Sequence, residues 1–148
     1  MKNVLSIFVA ALAFLACNNA DQKTPLPGAV NTEALKDSAN FTSIQWIDST
    51  DRDLGKVTEG EQVEVTYRFK NTGTKPLIIS RVSASCGCTV PETPQEPFAP
   101  GAEGVIKAKF NSSGRVGTNH KEVYVMANTK PSTLNQLEFS IQVEPKDQ

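Results

Sequence analysis

Gln62-Val63-Glu64-Val65-Thr66-Tyr67-Arg68-Phe69-Lys70 alternates polar and apolar side chains without a break. Successive side chains of a strand point to opposite faces, so Val63, Val65, Tyr67 and Phe69 share one face. Glu64, Thr66, Arg68 and Lys70 share the other. One dry and one wet face is the pattern of an antiparallel sheet. A helix would scatter these apolar residues around its axis.

Reading outward, Asn71-Thr72-Gly73-Thr74 is a tight turn of polar residues and glycine. Pro76 stands at the start of the next strand, Leu77 to Val82, where a proline is tolerated. Beyond it, Pro91, Pro94, Pro97 and Pro100 are expected to keep the chain irregular as far as Gly101. Val105 to Phe110 alternates again, with Ile106, Ala108 and Phe110 set against Lys107 and Lys109. Asn111 to Gly117 reads as a loop. Lys121 to Ala127 is a strand with either Val123 and Val125 inward or, in the other register, Tyr124 and Met126. Leu134 to Val143 places Leu137, Phe139, Ile141 and Val143 on one face. Upstream, Phe41 to Ile47 is the first strand, and Trp46 is read as a core residue. Asp48 to Gly60 is a loop with a short strand at Leu54 to Val57. About seven short strands separated by turns predict an all-β fold, an immunoglobulin-like antiparallel β-sandwich over residues 41–145.

Composition agrees. Nine glycines and nine prolines in 148 residues supply many turns. With 39% apolar and 21% charged residues the chain has an ordinary globular balance. A net charge of −1 provides no basic field, so no nucleic-acid partner is expected.

The first 16 residues read as a lipoprotein signal peptide. Lys2 is the positive end, and Val4 to Leu15 is apolar apart from Ser6, too short to span a bilayer. Ala13-Phe14-Leu15-Ala16-Cys17 is similar to a bacterial lipobox, with Phe14 in place of an aliphatic residue. Cys17 is therefore the candidate lipidation site, and residues 17–40, polar and without sustained periodicity, read as the lipidated terminus and flexible linker. Asn18 after the cysteine favours the outer membrane, with the domain facing the periplasm. The expected partners are the membrane, through the lipid anchor, and an envelope protein that meets sheet edges and end loops.

An ordered set of motifs carries a resemblance. Val65 to Gly73, Pro76-Leu77-Ile78-Ile79, Ser85-Cys86-Gly87-Cys88-Thr89-Val90-Pro91, Pro100-Gly101 and Gly104 to Phe110 together resemble the DUF1573 family of bacterial secreted and lipid-anchored proteins. The similarity covers about Phe41 to Val143. It implies an Ig-like domain related to the ASH/Hydin/MSP modules and an envelope compartment. It implies no reaction and hands over no catalytic residues.

Cys86 and Cys88 are the remaining cysteines, one residue apart. Four readings stay open. The pair is structural, packed or joined in a disulfide, the default for neighbouring thiols in an oxidising compartment, with Gly87 permitting a tight backbone. It holds a soft metal, copper or zinc, with His120 as third ligand and Met126 as fourth. It exchanges with other thiols. Or it pairs with a partner protein. Asp48, Asp51 and Asp53 suggest calcium by proximity but lack the glycine and glutamate of an EF-hand loop, so a solvated acidic loop is expected. His120, between Asn119 and Lys121, is expected in an exposed loop. No Ser/His/Asp grouping, P-loop or GxGxxG is present. The function expected is therefore a non-catalytic binding or scaffolding module, not an enzyme and without a required cofactor. A metal or redox protein built on the Cys-Gly-Cys motif is the alternative.

Overall fold

The computed structural model describes residues 35–146. The leader, Cys17 and nearly all of the linker lie outside the described residues. Eight strands follow in order: β1 (Ile44–Trp46), β2 (Asp51–Thr58), β3 (Gln62–Asn71), β4 (Ile79–Ala84), β5 (Thr89–Glu92), β6 (Glu103–Asn111), β7 (Gly117–Ala127) and β8 (Leu134–Glu144). They form two four-stranded sheets, β1-β3-β6-β5 and β2-β8-β7-β4, stacked as a β-sandwich.

The alternation in Gln62–Lys70 builds the core as expected. Val65, Tyr67 and Phe69 are buried, and so are Ile106, Ala108 and Phe110 on the neighbouring β6. From the facing sheet come Val123, Val125, Leu137, Phe139, Ile141 and Val143, all fully enclosed. This settles the register of β7: Val123 and Val125 point inward. Aromatic rings meet edge to face across the layer, Phe110 on Phe139 at 5.8 Å and Phe69 on Phe98 at 4.9 Å between centroids. Trp46 joins them against Phe69 at 5.7 Å. Each fully buried side chain of this size contributes about 1.5–3 kcal/mol.

Several local expectations are revised. The segment after Asp48 is mostly strand, because β2 runs for eight residues beside β8. That pair is parallel, as is the isolated Thr42–Thr129 bridge, whereas the other strand pairs are antiparallel. The chain leaves β1 for the opposite sheet and meets the last strand running the same way, with nearly the whole domain as the connection. Leu77 belongs to an isolated bridge with Phe98, and β4 begins only at Ile79. Pro91 lies inside a strand. His120 lies within β7.

Two buried carboxamides close one end of the sandwich. Asn71 Nδ2 donates to Lys75 O (2.8 Å) and Phe98 O (2.9 Å), and its Oδ1 accepts from Thr42 Oγ1 (2.9 Å) and Gly73 N (3.1 Å). Asn128 Nδ2 donates to Asn40 O and Pro76 O while Oδ1 accepts from Ile78 N at 2.7 Å. Gly73 is required at its place, because a Cβ there would overlap Thr42 and the Ser43 nitrogen.

The open edges are blocked by the protein's own groups. β1 is only three residues long. Where it falls short, Asp48 Oδ2 accepts the Arg68 N–H (2.8 Å) and Arg52 donates to Thr66 O (2.5 Å). On β2, Gly55 is in the left-handed region within a bulge, Asp53 Oδ1 accepts its N–H, and Glu61 accepts that of Thr58. Thr93 Oγ1 accepts the Val82 N–H of β4 (3.0 Å). On β5, Asn111 donates to Cys88 O, so the alternation puts Pro91, opposite Ala108, in a non-hydrogen-bonded pair with its nitrogen turned outward. These devices prevent strands of other chains from adding to the sheets.

Asn71→Ala leaves the Lys75 carbonyl, the Gly73 N–H and the buried Thr42 hydroxyl without this partner, while the Phe98 carbonyl keeps the Leu77 N–H, and should lower stability by about 2 kcal/mol or more in urea unfolding. An unchanged midpoint would show that the carboxamide is no clamp. The Asp48 carboxyl is held at about 2 by the Arg68 side chain and then the Arg68 N–H. Its folded value lies below the ordinary 3.8, so its contribution is present above that range and lost as the pH falls towards 2. Asp48→Asn should flatten part of the acid arm of the stability curve; parallel curves for variant and wild type would sink the assignment.

Candidate functional site

Two regions carry chemistry, and both flank β4. The first is the loop Ser85–Cys88 that carries the chain from one sheet to the other. Ser85 anchors its start: its N–H donates to Glu122 O (3.0 Å) and its Oγ accepts from Glu122 N (3.2 Å). Asn111 N–H holds its end through Cys88 O at 2.9 Å. Between these anchors the backbone turns, which brings the Cα atoms of Cys86 and Cys88 to 5.3 Å, and the two form a disulfide. An extended strand would hold positions i and i+2 farther apart, near the upper limit for a bridge. Gly87 does not need to be glycine for this turn. Its φ is not left-handed, and a Cβ would meet open space.

The two sulfurs differ in access. Cys88 is buried at 6% exposure, whereas Cys86 is only partly covered. The Thr89 hydroxyl lies 3.6 Å from Cys86 Sγ and 3.9 Å from Cys88 Sγ. A bridge over two positions constrains little of the unfolded chain. Loop-closure entropy assigns it roughly 1.6 kcal/mol, against about 4.7 kcal/mol for a hundred-residue loop. It ties no distant strands together. A hollow of about 310 Å³ adjoins it, lined by Gly87, Cys88, Val90, Phe110, Gln62, Lys109 and Asn111.

His120 does not join the cysteines as a ligand set with Met126. Both residues lie on β7, six positions apart, which separates them by about 20 Å at a strand's rise per residue. His120 faces solvent opposite Ser140, beside a polar hollow shared with Asp51, Glu122 and Glu138. Asp48 is engaged by Arg68 and Asp53 by the Gly55 N–H. Among the described residues, no group of three or more His, Cys, Asp or Glu side chains is gathered as a metal site.

The second region is the outer face of β4, β7 and β8. Its cross-strand rungs run Thr118–Gln142, His120–Ser140, Glu122–Glu138, Tyr124–Gln136 and Met126–Leu134. Glu122 and Glu138 stand directly opposite, an unfavourable like-charge pair. Gln136 Nε2 relieves it by donating to both carboxylates, at 3.1 and 2.9 Å, and the Tyr124 hydroxyl donates to Glu122. That bond to Glu122 raises the Tyr124 pKa. At the other end, Arg81, Ser83, Tyr124, Met126 and Leu134 line a groove of about 390 Å³. Leu134 is 49% and Met126 37% exposed. Arg81 has no ion-pair partner among the described residues.

The opposite sheet differs. Its outer face carries Arg68–Asp48 (2.7 Å), Lys109–Glu92 (3.3 Å) and Lys70–Glu103 (3.7 Å) ion pairs. Such pairs are worth little to stability but keep a surface wetted. The residues of the groove escape a reading of the sequence. Their one signal is the register of β7, since Val123 and Val125 inward forces Tyr124 and Met126 outward.

No curated protein matches the chain. Among solved structures, a protein of unknown function from Porphyromonas gingivalis W83 is similar, with 16% identity and a TM-score of 0.62. The match covers 76% of this chain and 51% of that one, so the chain spans about half the length of that relative. An ASH/PapD-like domain of human CEP192 matches with 12% identity and a TM-score of 0.59, over 73% of this chain and 89% of the domain. The YadV chaperone matches with 14% identity and a TM-score of 0.52, over 69% and 52%. At these identities the likeness is one of fold. The family model described as "Protein of unknown function (DUF1573)" matches residues 45–143, nearly the whole sandwich, and the chain belongs to that family.

Proposed function

We propose that this protein is a non-catalytic binding or scaffolding module of the cell envelope, held to the outer membrane through a lipid on Cys17. The linker to residue 40 sets the domain off from the bilayer on the periplasmic side. The observation that carries the binding role is the asymmetry of the two outer faces. One sheet carries three ion pairs and a single exposed large apolar strand residue, Val90, while the other gathers Met126 and Leu134 in one groove around Arg81, which has no ion-pair partner among the described residues. Exposed apolar side chains beside an uncompensated cation suit a protein surface that offers apolar groups and a carboxylate. The blocked edges move the expected contacts from strand addition to this face.

The apolar stretch that ends at Cys17 supports the anchor. Cys17→Ala should release the protein from envelope membranes into the soluble fraction; retention on the membrane would overturn the anchor. For the face, a photo-crosslinker placed at Met126 should give a discrete adduct in the envelope, and one at Lys107 on the ion-paired face should not. Equal labelling at both positions would sink the assignment of the binding surface.

A further inference from the structure

We propose that the Cys86–Cys88 disulfide is a thiol-oxidising site for a cysteine-containing polypeptide, acting once per chain and going beyond a passive binding role. Four observations converge on it. The bond links residues two apart, so it does not hold the sandwich together. Its two residues are unequal: Cys86 is partly exposed and Cys88 is buried. The Thr89 hydroxyl is within reach of both sulfurs. Beside the bridge, on the Gly87 and Cys88 side, a hollow lined by Phe110 and by Val90, which is 62% exposed, offers a place for apolar side chains that flank a partner's cysteine.

Access decides the direction of attack. A partner thiolate attacks the sulfur of Cys86, the less buried residue of the pair, and a bond forms between the partner's sulfur and Cys86. The Cys86–Cys88 bond breaks, and Cys88 leaves as a thiolate that accepts a hydrogen bond from Thr89 and then a proton from water. A second partner thiolate attacks the partner sulfur of the mixed disulfide. The partner is released as a disulfide, and Cys86 leaves as a thiolate and is protonated. Two electrons pass from two partner thiols to this chain, which ends as a dithiol.

The test uses the full-length protein and two probes, glutathione and a blocked pentapeptide whose cysteine is flanked by valine and leucine. The peptide thiol should reduce the native disulfide about tenfold faster than glutathione at equal thiolate concentration. Val90→Asp should erase that advantage, with circular dichroism showing a folded domain throughout. In Cys88→Ala the disulfide form of the peptide should label Cys86, located by peptide mapping. In Cys86→Ala, labelling of Cys88 should be about tenfold slower, as its burial requires. Because the bridge ties no distant strands, both variants should stay folded. Reduction that occurs only when urea unfolds the protein would overturn the proposal. Equal labelling of the two cysteines, or equal rates for glutathione and the peptide, would do the same.

Discussion

The Asn71 carboxamide is the polar interaction on which the closed end of this sandwich depends. It is buried, so each of its hydrogen-bonding positions must find a partner inside the protein. It finds four, on the Thr42 segment, the Gly73 turn, the Lys75 backbone and the Phe98 connection. Those segments cap the end of the aromatic layer formed by Trp46, Phe69 and Phe98. A small side chain without the amide would leave the Lys75 carbonyl, the Gly73 N–H and the Thr42 hydroxyl without this partner. Asn128 repeats the solution beside it and ties β4 to the segment before β1. The hydrophobic layer supplies most of the stabilisation, and the two amides fix how its end is arranged.

The surface divides along the same two layers. Each edge strand is shortened, bulged, capped by a side chain or interrupted by proline, so the sheets do not invite further strands. The face of β1, β3, β5 and β6 carries three ion pairs and one exposed apolar residue, Val90. The face of β4, β7 and β8 grades from a carboxylate pair bridged by Gln136 to an apolar groove beside Arg81. Association is favoured where apolar surface is already dehydrated in part and a charge awaits a partner. The disulfide loop starts at the Glu122 level of this face and crosses to the other sheet. The hollow beside the bridge therefore belongs to the sheet of β5 and β6, and the apolar groove to the sheet of β4 and β7.

Much of the fold was legible where periodicity was clean. Gln62–Lys70, Val105–Phe110 and Leu134–Val143 each have one face in the core, and period-two alternation is the direct trace of that burial. The strand β2 was only partly legible because it lies at an edge and its bulge at Gly55 breaks the alternation. Pro91 hid β5, since a proline is compatible with a strand only when its nitrogen faces away from the neighbour, a condition set by the register with β6. His120 read as loop because no apolar residue flanks it, yet the ladder to β8 continues to Gly117.

By itself, the sequence determined the sandwich class, the inward faces of its longest strands, the turns around Asn71 and Gly101, and the family motifs about Cys86 and Cys88. These are local properties, written in the alternation and spacing of neighbouring residues. Tertiary structure alone decided the parallel pairing of β2 with β8, the separation of His120 from Met126, the unequal burial of the two sulfurs, and the groove at Arg81. Each depends on which residues the other strands bring alongside, and that is a matter of register between segments as much as 87 positions apart in the chain, as for Asp51 and Glu138.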